Sequence, residues 1–250
     1  MVYKPAPSKD YRSSHLSLKK SERYEEDIYR KGSYDDILWQ EEKTALLKEV
    51  QALQKAVRNI NYLDFACGTG RIIGFLETQV QSATGVDVSE AMLDVAKTKV
   101  KKGTLILADI TKRDVLKGKS FELITAFRFF LNAEPPLRDA AMQTLIRKLQ
   151  DRKGVFIFNV HGNMFSHRFM TKIWFWLKGR RLNALSYWQV KKITKKHGLH
   201  IVRWHGFGVV PKVCYRYINS RFLLAVDRFF FLFPFSKYIS YNLIFICKKL

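Results

Sequence analysis

The apolar positions fall into alternating periods along the chain. Leu46, Val50, Leu53, Val57 and Ile60 recur every three to four residues and predict one face of a helix. Short apolar runs follow, each bounded by turn residues or acids. They predict strands over 61–66, 83–88, 105–109, 121–127 and 155–160. Helices over about 71–79, 90–100 and 136–149 lie between them. Ser89 supplies an N-cap with Glu90 in the first turn, and Pro136 suits the start of a helix. Strands alternating with helices at this spacing build βαβ units, hence an α/β fold whose mostly parallel sheet is covered on both faces. Beyond 160 the alternation loosens. A basic helix over 186–197 and strands over 200–207 and 239–247 are still legible, whereas about 162–183 and 209–237 fall outside the pattern. Residues 1 to about 32 are polar, contain Pro5 and Pro7, and predict a loosely ordered arm. The chain thus divides into an arm and the start of the first helix over 1–45, and one domain over 46–250 with two inserts.

Length and composition narrow this picture. The 250 residues fit a single domain with a full core. Hydrophobic content of 47% excludes a disordered chain. Three scattered cysteines, Cys67, Cys214 and Cys247, predict neither a disulfide framework nor a metal site. The start, MVYKPAPSKDYRSS, has no apolar core and predicts no signal peptide. No uncharged apolar run reaches the roughly 18 residues of a membrane span. The nearest approach, Phe222 to Phe235, is broken by Asp227, Arg228 and Pro234. A reducing, cytoplasmic setting is the expectation.

The net charge is +22, from 44 Lys and Arg against 22 Asp and Glu. It is unevenly placed. Val155 to Leu250 hold 17 basic residues and one acid, Asp227, together with 22 of the 35 aromatics. The first 154 residues carry 27 basic and 21 acidic residues, a net +6. A basic, aromatic-rich half predicts an anionic partner: a nucleic acid, a membrane surface or a phosphorylated substrate.

The first strand runs into Gly68-Thr69-Gly70, with Gly74 one turn on. This is close to a dinucleotide fingerprint, and Asp87, 17 residues after Gly70, stands where an acid accepts ribose hydroxyls. Asp64, just before the turn, argues against a dinucleotide, because a carboxylate there repels a pyrophosphate. It suits a ligand with an ammonium or sulfonium group. Asp109 ends the third strand, where it could accept from an adenine amine, and Met92 could pack on the adenine face. Acids at three consecutive strand ends fit a zwitterionic nucleoside.

LDFACGTGR (Leu63 to Arg71), GVDVSEAML (Gly85 to Leu93) and LADI (Leu107 to Ile110) resemble the first three motifs of class I S-adenosylmethionine-dependent methyltransferases. The resemblance covers about residues 46 to 161. It implies a Rossmann-like, doubly wound, seven-stranded sheet with helical lid inserts, and S-adenosyl-L-methionine as cofactor. Carried over residue by residue, it implies that Asp64 organises the methionine end and that Gly68 and Gly70 let the backbone approach it. Asp87 would hold the ribose, and Asp109 with Ile110 would meet the adenine. Ala66, Cys67, Val88, Met92 and Phe127 complete the implied cofactor set. Ala66 stands where most family members carry glycine.

The acceptor is less legible. Base-amine methyltransferases carry an acid or amide followed by Pro-Pro-aromatic after the fourth strand, so that an aromatic stacks on a flipped base. Here Phe127-Arg128-Phe129-Phe130 follows instead, and Glu134-Pro135-Pro136 comes later without the aromatic. No Pro-Cys nucleophile is present, so an RNA methyltransferase is an alternative carried by charge alone. AFRFFLNAEPPLR (Ala126 to Arg138) and FNVHGNMFS (Phe158 to Ser166) resemble a bacterial subset of the superfamily associated with surface-polysaccharide and glycolipid biosynthesis. That implies O-methylation of a saccharide, glycolipid or related small, membrane-proximal acceptor. A hydroxyl acceptor must lose its proton, and His161, at the end of the fifth strand, is the candidate base or orienting group. Arg128 and Asn132 are candidate acceptor-binding residues on the same rim. A cofactor-binding scaffold without turnover is the non-enzymatic alternative.

In this superfamily the sixth strand runs parallel to the first five and the seventh antiparallel. The two inserts then both leave from the substrate edge. The first carries Phe169, Trp174, Phe175 and Trp176 among Arg168, Lys172, Lys178, Arg180 and Arg181. The second runs from Arg221 to Phe233. Basic residues among Trp, Phe and Leu on helical segments compose interfacial helices, and each cation near an anionic leaflet contributes about 1 kcal/mol. A peripheral contact with an anionic membrane is therefore expected. Tyr24, Tyr29 and Tyr34 of the arm are expected to close over the cofactor.

Overall fold

A computed structural model describes residues 32–180 and 182–250. In chain order its elements are α1 (Tyr34–Gln54), β1 (Asn61–Phe65), α2 (Arg71–Leu76), β2 (Ser82–Asp87), α3 (Glu90–Lys99), β3 (Thr104–Leu107), β4 (Leu123–Ala126), α4 (Pro135–Lys148) and β5 (Val155–His161). There follow α5 (Arg168–Leu177), α6 (Tyr187–Lys196), β6 (Leu199–Phe207), a 3-10 turn (Lys212–Arg216), α7 (Ser220–Phe230), α8 (Ser236–Ile239) and β7 (Asn242–Lys249). The strands form one sheet in the order β3-β2-β1-β4-β5-β7-β6. β1 to β5 pair in parallel, while β7 runs antiparallel to both β5 and β6. This is the doubly wound, Rossmann-like class I methyltransferase fold.

Alternation along β5 shows how the core divides. Phe156 and Phe158 point to one face of the sheet, where they pack with Phe130, Phe245, Met142 and Leu145 of α4. Ile157 points to the other face, with Tyr62, Ile246 and the α1 residues Leu46, Val50 and Leu53. Successive strand side chains point to opposite faces, so a strand apolar at every position is covered on both sides.

The first helix departs from the predicted one. It begins at Tyr34, twelve residues before the apolar period becomes visible, with Ser33 Oγ capping the Asp36 N–H at 3.2 Å. Val57 and Ile60 lie beyond its end, and Ile60 is buried at the entry to β1. The early turns were hidden because part of the buried face is acidic: Asp35, Glu42 and Glu49, seven residues apart, are 6%, 2% and 7% exposed. Tyr34 is also corrected. It is buried edge-on against Tyr215 with ring centroids 5.0 Å apart, and does not line the cleft described below. Tyr24, Tyr29 and the arm itself lie outside the described residues.

Both inserts contain helices. α5 has no buried residue, and α7 buries only Leu223 and Asp227. Asp227 accepts the N–H groups of Val209 and Val210 at 2.9 and 2.8 Å and the Tyr215 hydroxyl at 3.0 Å, which ties α7 to the loop after β6. The last strand starts at Asn242 rather than 239 because Ser236–Ile239 closes a helical turn. Among the described residues no helix is long and apolar enough to cross a membrane.

Candidate active site

The carboxyl ends of β1, β2 and β4 border a cleft. Open α/β sheets bind ligands at this edge, where strand order reverses. Asp64, Ala66, Cys67, Gly68, Asp87, Val88, Met92, Asp109 and Phe127 all line it, as does Arg128. The structure therefore gathers nine of the eleven residues predicted for the cofactor.

The turn after β1 is held from within. Asp87 accepts the N–H of Gly68 at 2.8 Å and that of Ser89 at 2.9 Å, so one carboxylate joins the first turn to the start of α3. Gly68 takes φ +53°, and a Cβ built on it meets nothing within 4 Å, so the backbone lies open to a ligand. Ala66 takes the same left-handed conformation, φ 53°, which glycine adopts freely and alanine does not.

Asp64 is fully enclosed. Thr125 donates its hydroxyl to one oxygen at 2.6 Å, and the Ile73 N–H donates to the other at 3.1 Å. The Tyr62 hydroxyl in turn donates to Thr125 at 2.7 Å. Burial pushes the Asp64 carboxyl up to about 7 despite these bonds. A nearby cation would restore its charge. At Asp109, Thr111 donates its hydroxyl at 2.5 Å and its N–H at 3.0 Å, fixing the loop after β3.

Two predicted cofactor residues do not reach the cleft. Gly70 caps α2 at φ +74°, and a Cβ there would stand 2.8 Å from Ala96 Cβ. Its glycine serves the close packing of α2 on α3. Ile110 is buried in the core and is absent from the cleft wall.

The rim beyond β4 and β5 holds the acceptor candidates. Arg128 takes φ 59°, a strained conformation of the kind found at functional sites. It is over-determined: its N–H donates to Asn159 at 2.6 Å, its guanidinium to Asp35 at 2.9 Å, and its carbonyl accepts from Asn132 at 2.9 Å. Asn132 thus positions Arg128 and stands outside the cleft wall. His161 is also outside that wall. Its Nδ1 is buried without a hydrogen-bond partner. Burial, then the charges of Arg128, Arg168 and Arg71, hold its imidazole well below the usual histidine range and therefore neutral.

Sequence reasoning missed the supports beneath this rim. Glu42 accepts from Asn242 at 2.6 Å and from Arg71 at 3.1 Å. Asp35 takes Arg128 and, at 2.6 Å, Lys212. Glu49 binds Arg203 through two bonds, at 2.7 and 3.1 Å. The signal was present as acids at 35, 42 and 49 and as lone asparagines in apolar strands, but an acidic period ordinarily marks a solvated face.

Residues 63–152 match a family model described as a methyltransferase domain. No curated protein sequence matches the chain. Among solved structures, magnesium protoporphyrin IX methyltransferase from Synechocystis PCC 6803 with bound SAH is similar over 96% of this chain and 98% of that one, at 16% identity and a TM-score of 0.65. An S-adenosylmethionine-dependent methyltransferase from Clostridium acetobutylicum ATCC 824 covers 92% and 98%, at 15% identity and a TM-score of 0.59. One from Archaeoglobus fulgidus covers 90% and 98%, at 13% identity and a TM-score of 0.59. At such identities the likeness speaks for the fold. Residues 63–152 are thus similar to a methyltransferase domain set in that fold. The Synechocystis structure holds SAH, and the Clostridium protein is S-adenosylmethionine-dependent.

Proposed function

We propose that this protein transfers a methyl group to an oxygen of a small acceptor, a saccharide or glycolipid. Methyl transfer is supported by the ring of strand-end carboxylates, Asp64, Asp87 and Asp109, around one cleft whose backbone opens at Gly68, and the acceptor class by the resemblance over Ala126 to Arg138 and Phe158 to Ser166. Asp64 suits the cationic methionine end, Asp87 the ribose and Asp109 the adenine amine. When bound, the cofactor supplies an electrophilic methyl group on a sulfonium. An acceptor hydroxyl that takes this methyl group would have to give up its proton to the protein.

The residues on this rim divide the remaining work between positioning and proton removal. Arg128 is fixed at the cleft wall and orients the acceptor; most of the catalysis of such a displacement is positioning. His161, neutral at the end of β5, lies outside the cleft wall, so its role as proton acceptor requires an acceptor that extends past Arg128. A buried nitrogen without a partner costs about 1–3 kcal/mol, which favours a functional over a structural role for this imidazole. His161→Ala should lower turnover by about 10²-fold or more while leaving cofactor affinity unchanged. Unaltered turnover would remove His161 from the mechanism.

Labelled cofactor incubated with glycan, lipid and RNA fractions tests the acceptor class. Label in the glycan or glycolipid fraction is expected. Label in RNA would overturn this reading, and cofactor binding without transfer to any fraction would favour a scaffold.

A further inference from the structure

Helix α5 is built inside out. Phe169, Ile173, Trp176 and Leu177 recur at one helical face, and Met170 and Trp174 widen it. All six are exposed, Trp176 and Leu177 to 74% and 70%. The partly buried side holds Arg168, Lys172 and Phe175 instead. A free amphipathic helix turns its apolar face to the core. Here that face points to solvent.

The second insert repeats the pattern. Phe222, Phe229, Leu232, Phe233 and Phe235 are exposed on and just after α7. Both inserts leave from the same edge of the sheet, the first after β5 and the second between β6 and β7. Exposed apolar surface on this scale marks an interaction site.

Charge selects the occupant. Lys178, Arg180, Arg216, Arg221 and Lys237 are exposed along the same two segments. Lys178 lies 3.9 Å from the centre of the Trp174 ring. Asp227, the single acid of the last 96 residues, is buried and bonded inward. Behind α5, Arg138, Lys172 and Arg180 share a cleft with Trp176, and no carboxylate lines it among the described residues. The Nε of Arg138 is buried there without a partner. A second copy of the chain, itself at +22, would meet these cations with like charge. An anionic bilayer offers both apolar depth and compensating phosphate.

We infer that α5 and the α7 segment dock the protein on an anionic membrane surface, with the cleft of Arg138, Lys172 and Arg180 taking a phospholipid headgroup phosphate. The apolar faces enter the acyl boundary while the cations stay at headgroup level. Docking this edge sets the mouth of the site against the leaflet. The inference concerns an interface and holds whatever the methyl acceptor proves to be.

Vesicle co-sedimentation tests it, with phosphatidylcholine alone and with phosphatidylcholine plus phosphatidylglycerol. The protein should pellet at least about 10-fold more strongly with the anionic vesicles, since each cation near such a surface strengthens binding about fivefold. Trp176→Ser combined with Leu177→Ser should weaken pelleting by about 10-fold or more. Lys172→Glu combined with Arg180→Glu should abolish the preference for phosphatidylglycerol. Unchanged cofactor affinity by calorimetry will show that both variants are folded. Equal pelleting with the two vesicle types would overturn the inference. So would undiminished pelleting of the Trp176/Leu177 variant, or a dimer in solution that this variant dissociates.

Discussion

At the residue scale, the carboxylate of Asp64 gives the site its pH dependence. Burial holds its carboxyl near 7 in the free protein. The folded chain therefore keeps a proton that the unfolded chain loses above its ordinary 3.8, and this residue by itself lowers stability as pH rises through that window. A bound cation reverses the preference at the site. Binding then expels the proton below about pH 7, so cofactor affinity should rise as pH increases up to about 7 and level off above. Calorimetry in two buffers of different ionisation heat measures that release, and Asp64→Asn should abolish it. A pH-independent affinity with no proton exchange would contradict the placement of the cation beside Asp64. Asp87→Ala tests the other end of the cleft. It should cost about 1.5–3 kcal/mol of cofactor binding per lost charged bond, and loosen the Gly68 turn as well. Wild-type affinity in that variant would overturn the assignment.

At the element scale, α1 decides how firmly this site is held. Its three buried acids each grip a partner from another part of the chain. Asp35 holds Arg128 and Lys212, Glu42 holds Arg71 and Asn242, and Glu49 holds Arg203. Although burial opposes ionisation, the bonds from His205 and Arg203 keep the Glu49 carboxyl at about 2. Its stabilisation is thus complete above the ordinary 4.5 and is lost as pH falls towards 2. Arg203 is half-exposed, so solvent screens that pair. Glu42 and Arg71 are only 3% and 13% exposed. Glu42→Ala removes the acceptor shared by Arg71 and the Asn242 amide, and should cost about 3–5 kcal/mol in denaturant unfolding. A loss under about 1 kcal/mol would show that water or another acceptor replaces it. The period of these acids is plain in the sequence. Their burial is not, because it needs cations from α2, the loop after β4, β6 and the 3-10 turn after β6 to arrive in space.

At the scale of the whole molecule, the charge is divided by task. The half with the cofactor cleft is nearly balanced, and its carboxylates are local and enclosed. Most of the uncompensated positive charge lies in the last 96 residues, and ten of their 17 cations are on the inserts at the open edge. Salt should separate the two. Between about 0.05 and 0.5 M, where the screening length falls from roughly 14 to 4 Å, anionic vesicle binding should collapse while the cofactor dissociation constant moves less than about threefold. Parallel titrations of both equilibria check this, and a cofactor affinity as salt-steep as vesicle binding would refute the division.

The sequence by itself determined the alternation of strands and helices, the parallel sheet and nine of the cleft residues. The reason is that hydrophobic period, turn glycines and strand-end acids are local signals, read within a few residues. Other features were decided by tertiary structure. Gly70 and Ile110 sit in the right motifs yet abut α3 and the core, because how a turn packs on its neighbours is not written in the local motif. Asn132 and Asp35 gained their roles from a strained Arg128 that local pattern does not reveal. The aromatics of α5 read equally as a lid core or as a free surface. Which one holds depended on whether another element packs on them, and among the described residues none buries them.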